Sequence, residues 1–209
     1  MDWFDAVRYV MDNDISGAIV ECGVEEGNFQ AACITELMAR NQTRDIYLFD
    51  TFGGLTAPGE NDYTNDDTPF FKMNNTEVVE EWNKHSVSST INNWCYCSLE
   101  RVQERLNTFG YDESKLHYVV GDVMNTLNVE ANIPAQISIL RLDTDWYTSS
   151  RFELEKLYSK VVSGGIVIFD DYYHWAGQRK AVDEFFAGLG FTPNLVKMGT
   201  LKVAAMIKP

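Results

Sequence analysis

Two pairs of aspartates carry the strongest chemical signal in the chain. Asp143-Thr144-Asp145 follows the apolar run at 137–142, and Asp170-Asp171 follows a second run at 165–169. Between them lies a segment with helical patterning, roughly 149–162, closed by Ser163-Gly164-Gly165. Strand, helix, strand of this length forms a right-handed crossover, so the strands are parallel and their acidic ends share one sheet edge. In open parallel sheets that edge is where ligands bind. Two carboxylates about 4 Å apart repel by roughly 4 kcal/mol at an effective dielectric near 20, so the cluster requires a cation or a proton. It reads as a Mg2+-type site beside a small-molecule pocket. His174 is the histidine adjacent to the cluster and a candidate proton acceptor. Its alternative use is to hold its own loop in place.

Positioning these groups takes a sheet. Residues 18–21 read as a buried strand running into Cys22-Gly23-Val24-Glu25-Glu26-Gly27, with a helix from about 29 to 40 behind it. Glycines in such a turn let backbone approach a ligand and start the helix tightly against the strand. The spacing is not G-x-G-x-x-G, so no pyrophosphate site follows from it. Residues 46–50 form a second strand ending in Asp50, placed to accept hydrogen bonds from a ribose diol; capping a turn is the alternative. From 51 to about 97 the periodicity dissolves into a polar, turn-rich stretch punctuated by Phe70, Phe71, Trp82 and Trp94, with one short helix near 77–84. A connection this long inside one domain is expected to be a lid or substrate loop.

Regular alternation then resumes. Ser98 can cap a helix to about 109, residues 116–122 form a third strand ending in Asp122, and a short helix covers 123–129. After the two central strands comes a helix at about 178–189, then strands at 194–198 and 201–207 joined by a Gly199-Thr200 turn. The chain opens with a short amphipathic helix within 1–14, carrying Trp3, Phe4, Val7, Val10 and Met11 at helical spacing. The expected fold is α/β and Rossmann-like: one domain over 1–209, a seven-stranded, mostly parallel sheet with a C-terminal antiparallel hairpin, and helices on both faces.

In this arrangement Glu21, Asp50, Asp122, Asp143 and Asp170 each end a parallel strand. Five acids on one edge suit a ligand rich in donors and positive charge: an amine, a ribose diol, an exocyclic amine, a sulfonium, a metal. S-adenosylmethionine has the first four, and the aspartate cluster supplies the fifth. Net charge points away from other partners. With 17 basic against 31 acidic side chains the chain carries −14, which argues against nucleic acid, whose phosphates need a basic face. No apolar run approaches the length of a membrane helix, and the first residues lack a leader pattern. Cys22, Cys33, Cys95 and Cys97 lack zinc-site spacing and read as reduced thiols, as expected of a cytoplasmic protein.

Four stretches together resemble the macrocin O-methyltransferase family within the class I S-adenosylmethionine-dependent methyltransferases. They are Val20-Glu21-Cys22-Gly23-Val24, residues 49–55, residues 140–147, and Asp170-Asp171-Tyr172 with residues 175–183. The resemblance runs from about 15 to 186 and implies methylation of a hydroxyl on a sugar or natural-product glycoside, with S-adenosylmethionine and Mg2+ or another divalent cation. It further implies that Glu21 and Gly23 line the methionine part of the cofactor, with Gly27 beside it, that Asp50 holds the ribose, and that Asp122 lies near the adenine. Asp143, Asp170 and Asp171 would bind the metal, Asp143 being the family-style base and His174 the other candidate. Asp145 is expected either to orient its loop or to cap the following helix. The family also suggests a homo-oligomer of two or more copies, with the N-terminal helix as candidate surface. Thr144 stands where the family usually has glycine, and Trp146, Tyr147 and Thr148 occupy the region where catechol-type relatives carry a lysine. Two rival readings remain: a nucleotide-sugar glycosyltransferase using Asp143-Thr144-Asp145 as a D-x-D motif, and a non-catalytic protein that binds the nucleoside.

Overall fold

The computed structural model describes residues 2–68, 70–199 and 202–209. Seven strands form one sheet: β1 (Ala18–Cys22), β2 (Ile46–Asp50), β3 (Leu116–Val120), β4 (Ile137–Leu142), β5 (Val161–Phe169), β6 (Val196–Met198) and β7 (Val203–Ile207). Their order is β3-β2-β1-β4-β5-β7-β6. β1 to β5 are parallel, and β7 runs antiparallel to both β5 and β6. Chain order reverses between β1 and β4, the switch point at which open α/β sheets leave a crevice.

Strand periodicity sorts side chains into two cores. Ile19, Ile46, Leu48, Ile139, Ile166 and Ile168 face one side, against α1 (Trp3–Asp12), α2 (Asn28–Ala39) and α4 (Leu99–Asn107). Val20, Phe49, Leu140, Leu142, Val167 and Phe169 face the other, against α5 (Val123–Thr126), α6 (Tyr147–Leu157) and α7 (Ala176–Gly188). With both faces covered, the central strands are apolar almost throughout instead of alternating. Such a strand tolerates a charge only if it is paired, which makes Glu21 in β1 and Arg141 in β4 conspicuous.

Several local details differ from the sequence expectation. Ser163-Gly164-Gly165 does not close a helix; it lies inside β5, where Ile137 pairs Val161 but Ile139 already pairs Ile166. The extra residues form a bulge. Gly164 takes φ +80°, and a Cβ on Gly165 would lie 2.8 Å from Val161 Cγ1. Most of the apolar stripe of α1 is used within the chain: Ala6, Val7, Val10 and Met11 are buried in the first core, while Phe4 stays exposed. The short helix expected near 77–84 is α3 (Asn75–His85), longer at its start, where a reciprocal Asn74–Glu77 capping box opens it. The expected Gly199-Thr200 turn and the start of the last strand at Leu201 include residues outside those described. Among the described residues, no helix is long and apolar enough to cross a membrane.

Candidate active site

The carboxyl ends of β1, β2, β3 and β4 surround one cleft. Gly23 and Glu25 come from the turn after β1, Phe49, Asp50 and Thr51 from β2, Gly121 and Asp122 from the turn after β3, and Asp143, Thr144 and Asp145 from beyond β4. Gly54, Leu55, Thr56 and Cys95 form the wall contributed by the long loop, and Lys202 reaches in from the start of β7. Backbone strain collects here: Glu25, Cys95 and Asp145 are non-glycine residues on the wall with φ between +47° and +63°. Such conformations persist only when the surroundings hold them.

Gly23 permits the tightest contact. It has φ +86°, and a Cβ there would stand 2.0 Å from the Asp143 carbonyl oxygen. The Asp143 N–H donates to Cys22 O at 2.8 Å, so the β1 turn and the end of β4 meet backbone to backbone. Asp50 organises the neighbouring turns. Its Oδ2 accepts from Val24 N at 2.6 Å and Glu25 N at 3.1 Å, and its Oδ1 from Phe52 N at 2.6 Å. Burial raises its pKa against those hydrogen bonds. Asp122 caps α5 by accepting from Met124 N at 2.9 Å.

Two expected cofactor contacts lie away from the cleft wall. Glu21 is 1% exposed, and its carboxylate takes hydrogen bonds from Arg141 and Gln30. Complete burial pushes that carboxyl up to about 8 while Arg141 pulls it back. Gly27 opens α2 in the left-handed conformation, with Val102 and Leu106 of α4 beside it. A strand residue's side chain belongs to one face of the sheet, so Glu21, in register with Ile19, falls into the first core.

The acidic cluster is assembled differently from the expected trio. Arg141 Nη2 bonds Asp170 Oδ1 at 2.6 Å and Asp143 Oδ2 at 2.8 Å, while Nη1 holds Glu21. Arg141 is 5% exposed, and its guanidinium lies 5.0 Å from the Trp3 ring and 5.4 Å from the Phe29 ring. The other Asp170 oxygen takes Lys202 Nζ at 2.5 Å. Both Asp170 oxygens are therefore engaged by cations. Against the effect of burial, Arg141 and Lys202 hold Asp170 down to about 2. Asp143, Asp145 and Asp171 instead bring one carboxylate oxygen each within 4.8 Å of one another. Asp171 is 1% exposed, and its Oδ2 has no partner among the described residues. Asp145 is not a helix cap. Asp62, from the long loop, accepts from Tyr147 N at 2.8 Å at the start of α6, while Asp145 Oδ1 accepts from Trp175 Nε1 at 2.8 Å. Burial, with Asp171 nearby, pushes Asp145 well above the usual carboxylate range. Burial, with Asp170 and Asp171, does the same for Asp143 despite the pull of Arg141.

His174 does not reach the cleft wall. It is 7% exposed, shares a hydrogen bond with Thr68 Oγ1 at 2.9 Å, and sits edge-on to Phe70 and Phe71. Burial lowers its pKa. The geometry is that of a loop anchor. Trp94, Trp146 and Trp175 pack edge to face nearby, and Trp146 Nε1 donates to Thr56 O at 2.8 Å. Two polar groups beside the cluster carry no recognisable sequence motif. The Thr144 hydroxyl donates to Glu153 Oε1 at 2.8 Å, and Glu153 is wholly buried on α6. Arg141 escaped sequence reasoning, although its signal is a charge inside an otherwise apolar strand; Lys202 follows only from strand pairing.

Residues 2–204 match the family model described as macrocin O-methyltransferase (TylF). The chain belongs to this family. It is 28% identical over 195 residues to demethyldecarbamoylnovobiocin O-methyltransferase of Streptomyces niveus, covering 91% of this chain and 66% of that protein. It is 26% identical over 199 residues to mycinamicin III 3''-O-methyltransferase of Micromonospora griseorubida, covering 92% and 69%. The chain thus spans about two thirds of the length of these relatives. The solved O-methyltransferase NovP superposes with a TM-score of 0.80 at 24% identity, over 99% of this chain and 77% of that one, a likeness of fold. Family membership sets aside the glycosyltransferase reading of Asp143-Thr144-Asp145.

Proposed function

We propose that the chain is an S-adenosylmethionine-dependent O-methyltransferase acting on a hydroxyl of a sugar or similar group carried by a small natural product, with a divalent cation at the aspartate cluster. One observation carries this reading. The glycine turn after β1, Asp50 and Asp122 share a single cleft with Asp143 and Asp145, whose carboxylates converge on that of the buried Asp171, which keeps an unpartnered oxygen. The first set suits a nucleoside at the switch point of the sheet. The second is an all-oxygen donor set, the kind that hard divalent cations select.

When bound, the cofactor supplies an electrophilic methyl group and a divalent cation acidifies a neighbouring hydroxyl. The rest falls to the chain. Methyl transfer forms an O–C bond while a C–S bond breaks, and leaves one proton to be taken up. Asp143, which lies on the cleft wall, would be the acceptor. Asp143, Asp145 and Asp171 would hold the cation. Gly23 lets the cofactor-side turn close directly onto the Asp143 backbone, which ties the donor and acceptor halves of the cleft to one rigid junction. The loop wall from Gly54 to Thr56, pinned through Trp146, would exclude water and shape the acceptor pocket.

The test is calorimetric titration of S-adenosylhomocysteine with Mg2+ and again with EDTA, beside a UDP-sugar control. Micromolar binding of the nucleoside alone is expected. Asp143→Asn should keep that affinity and lose methyl transfer to an acceptor glycoside; unchanged turnover by this variant would remove Asp143 from the reaction.

A further inference from the structure

Lys202 immediately precedes β7, and pairing of β7 with β5 fixes what it meets. Phe169 lies opposite Ala204 in the antiparallel register, so continuing the ladder brings Lys202 alongside Asp171. Tyr173 N donates to Lys202 O at 3.0 Å and anchors the backbone there. The ammonium bonds Asp170 Oδ2 at 2.5 Å and Asp171 Oδ1 at 2.9 Å, and it lines the cleft. Four aspartates here face two cations among the described residues, Arg141 and Lys202, and the two are held differently. Arg141 is buried, holds three carboxylates and lies over two aromatic rings. The Lys202 side chain is 32% exposed, on a flexible stem, and the ammonium bonds only these two aspartates among the described residues.

We propose that Lys202 is a resident counter-cation of the aspartate cluster, and that a divalent cation binds there in competition with it. This inference rests on the cation site proposed above. Asp171 would serve both: one oxygen holds the ammonium and the other is unpartnered. Two positive centres on one buried carboxylate repel strongly, because little water is present to screen them. Cation binding therefore expels the ammonium toward the cleft, and the lysine raises the cation concentration needed to fill the site.

The probe is Mn2+, with the free ion followed by electron paramagnetic resonance. Lys202→Met should bind Mn2+ about tenfold more tightly than the wild type or better, Lys202→Arg should stay within about threefold of it, and Asp171→Asn should abolish binding. In the wild type, saturating Mn2+ should raise acetic anhydride labelling of Lys202 severalfold, read by mass spectrometry; this needs no variant to fold. Equal or weaker Mn2+ binding by Lys202→Met, or labelling unchanged by bound Mn2+, overturns the proposal alone. Absence of Mn2+ binding by both wild type and Lys202→Met, with S-adenosylhomocysteine still bound, overturns the cation site along with it.

Discussion

Replacing Glu153 by glutamine should make the protein more stable at alkaline pH and change little in acid. Glu153 is wholly buried on α6, accepts one hydrogen bond from Thr144, and leaves its second oxygen without a partner among the described residues. Burial is the dominant cause that pushes its carboxyl from 4.5 to about 8. Below pH 4.5 both the folded and the unfolded chain carry this proton. Between there and about pH 8 the unfolded chain releases it while the folded chain retains it. The folded state then binds more protons, so stability falls as pH rises across this window. Fully developed, the loss is roughly 4 to 5 kcal/mol, a large share of a typical folding free energy. Glutamine keeps the shape and the acceptor for Thr144 but cannot ionise. Urea unfolding followed by tryptophan fluorescence, at constant ionic strength, should show the two proteins within about 1 kcal/mol at pH 5 and the variant ahead by about 4 kcal/mol more at pH 9, with unchanged m. Parallel stability curves across that range would refute the assignment of a proton to Glu153.

Arg141→Met leaves Glu21, Asp143 and Asp170 without their shared partner. Breaking a buried pair in this way costs about 3–5 kcal/mol, which for a domain of this size lowers the melting temperature by roughly 6–20 °C; a calorimetric drop of under about 2 °C would mean that the carboxylates find other partners. Gly23→Ala and Gly27→Ala form a matched pair, since both positions have positive φ. A Cβ at 27 meets side-chain atoms alone, Val102 Cγ1 at 3.3 Å, Leu106 Cδ2 at 3.5 Å and Gln30 Oε1 at 3.7 Å, so about 1–2 kcal/mol of backbone strain is expected. At 23 it collides with the Asp143 carbonyl, so the loss should be clearly larger and Mn2+ binding should fall with it. Equal urea midpoints for the two variants would contradict the close contact at Gly23.

Much of this protein is local chemistry and was legible in the chain. The order of strands and helices followed from apolar runs and turn residues, because hydrophobic periodicity records which face of an element is covered. Ser98 as a helix cap, the glycine turn after β1 and the acids at strand ends followed from backbone requirements that neighbouring residues satisfy among themselves. The stretch 51–97 was recognised as one unit but not its interior: Trp94 packs on Trp146 and Trp175, and Asp62 caps α6 from 85 residues away.

Which carboxylate does what was left to the tertiary structure. Asp170 and Asp171 are adjacent and chemically identical, yet one is held by Arg141 and Lys202 while the other keeps a free oxygen. Asp145 joins the cluster, and Glu21 turns into the core. His174, the histidine nearest the cluster in sequence, packs against phenylalanines. Residue type and spacing along a strand determine that acids gather at one edge of the sheet. Their charge states and partners depend on burial and on cations brought in by distant strands, and those exist only once β7 has paired with β5 and α1 has closed over Arg141.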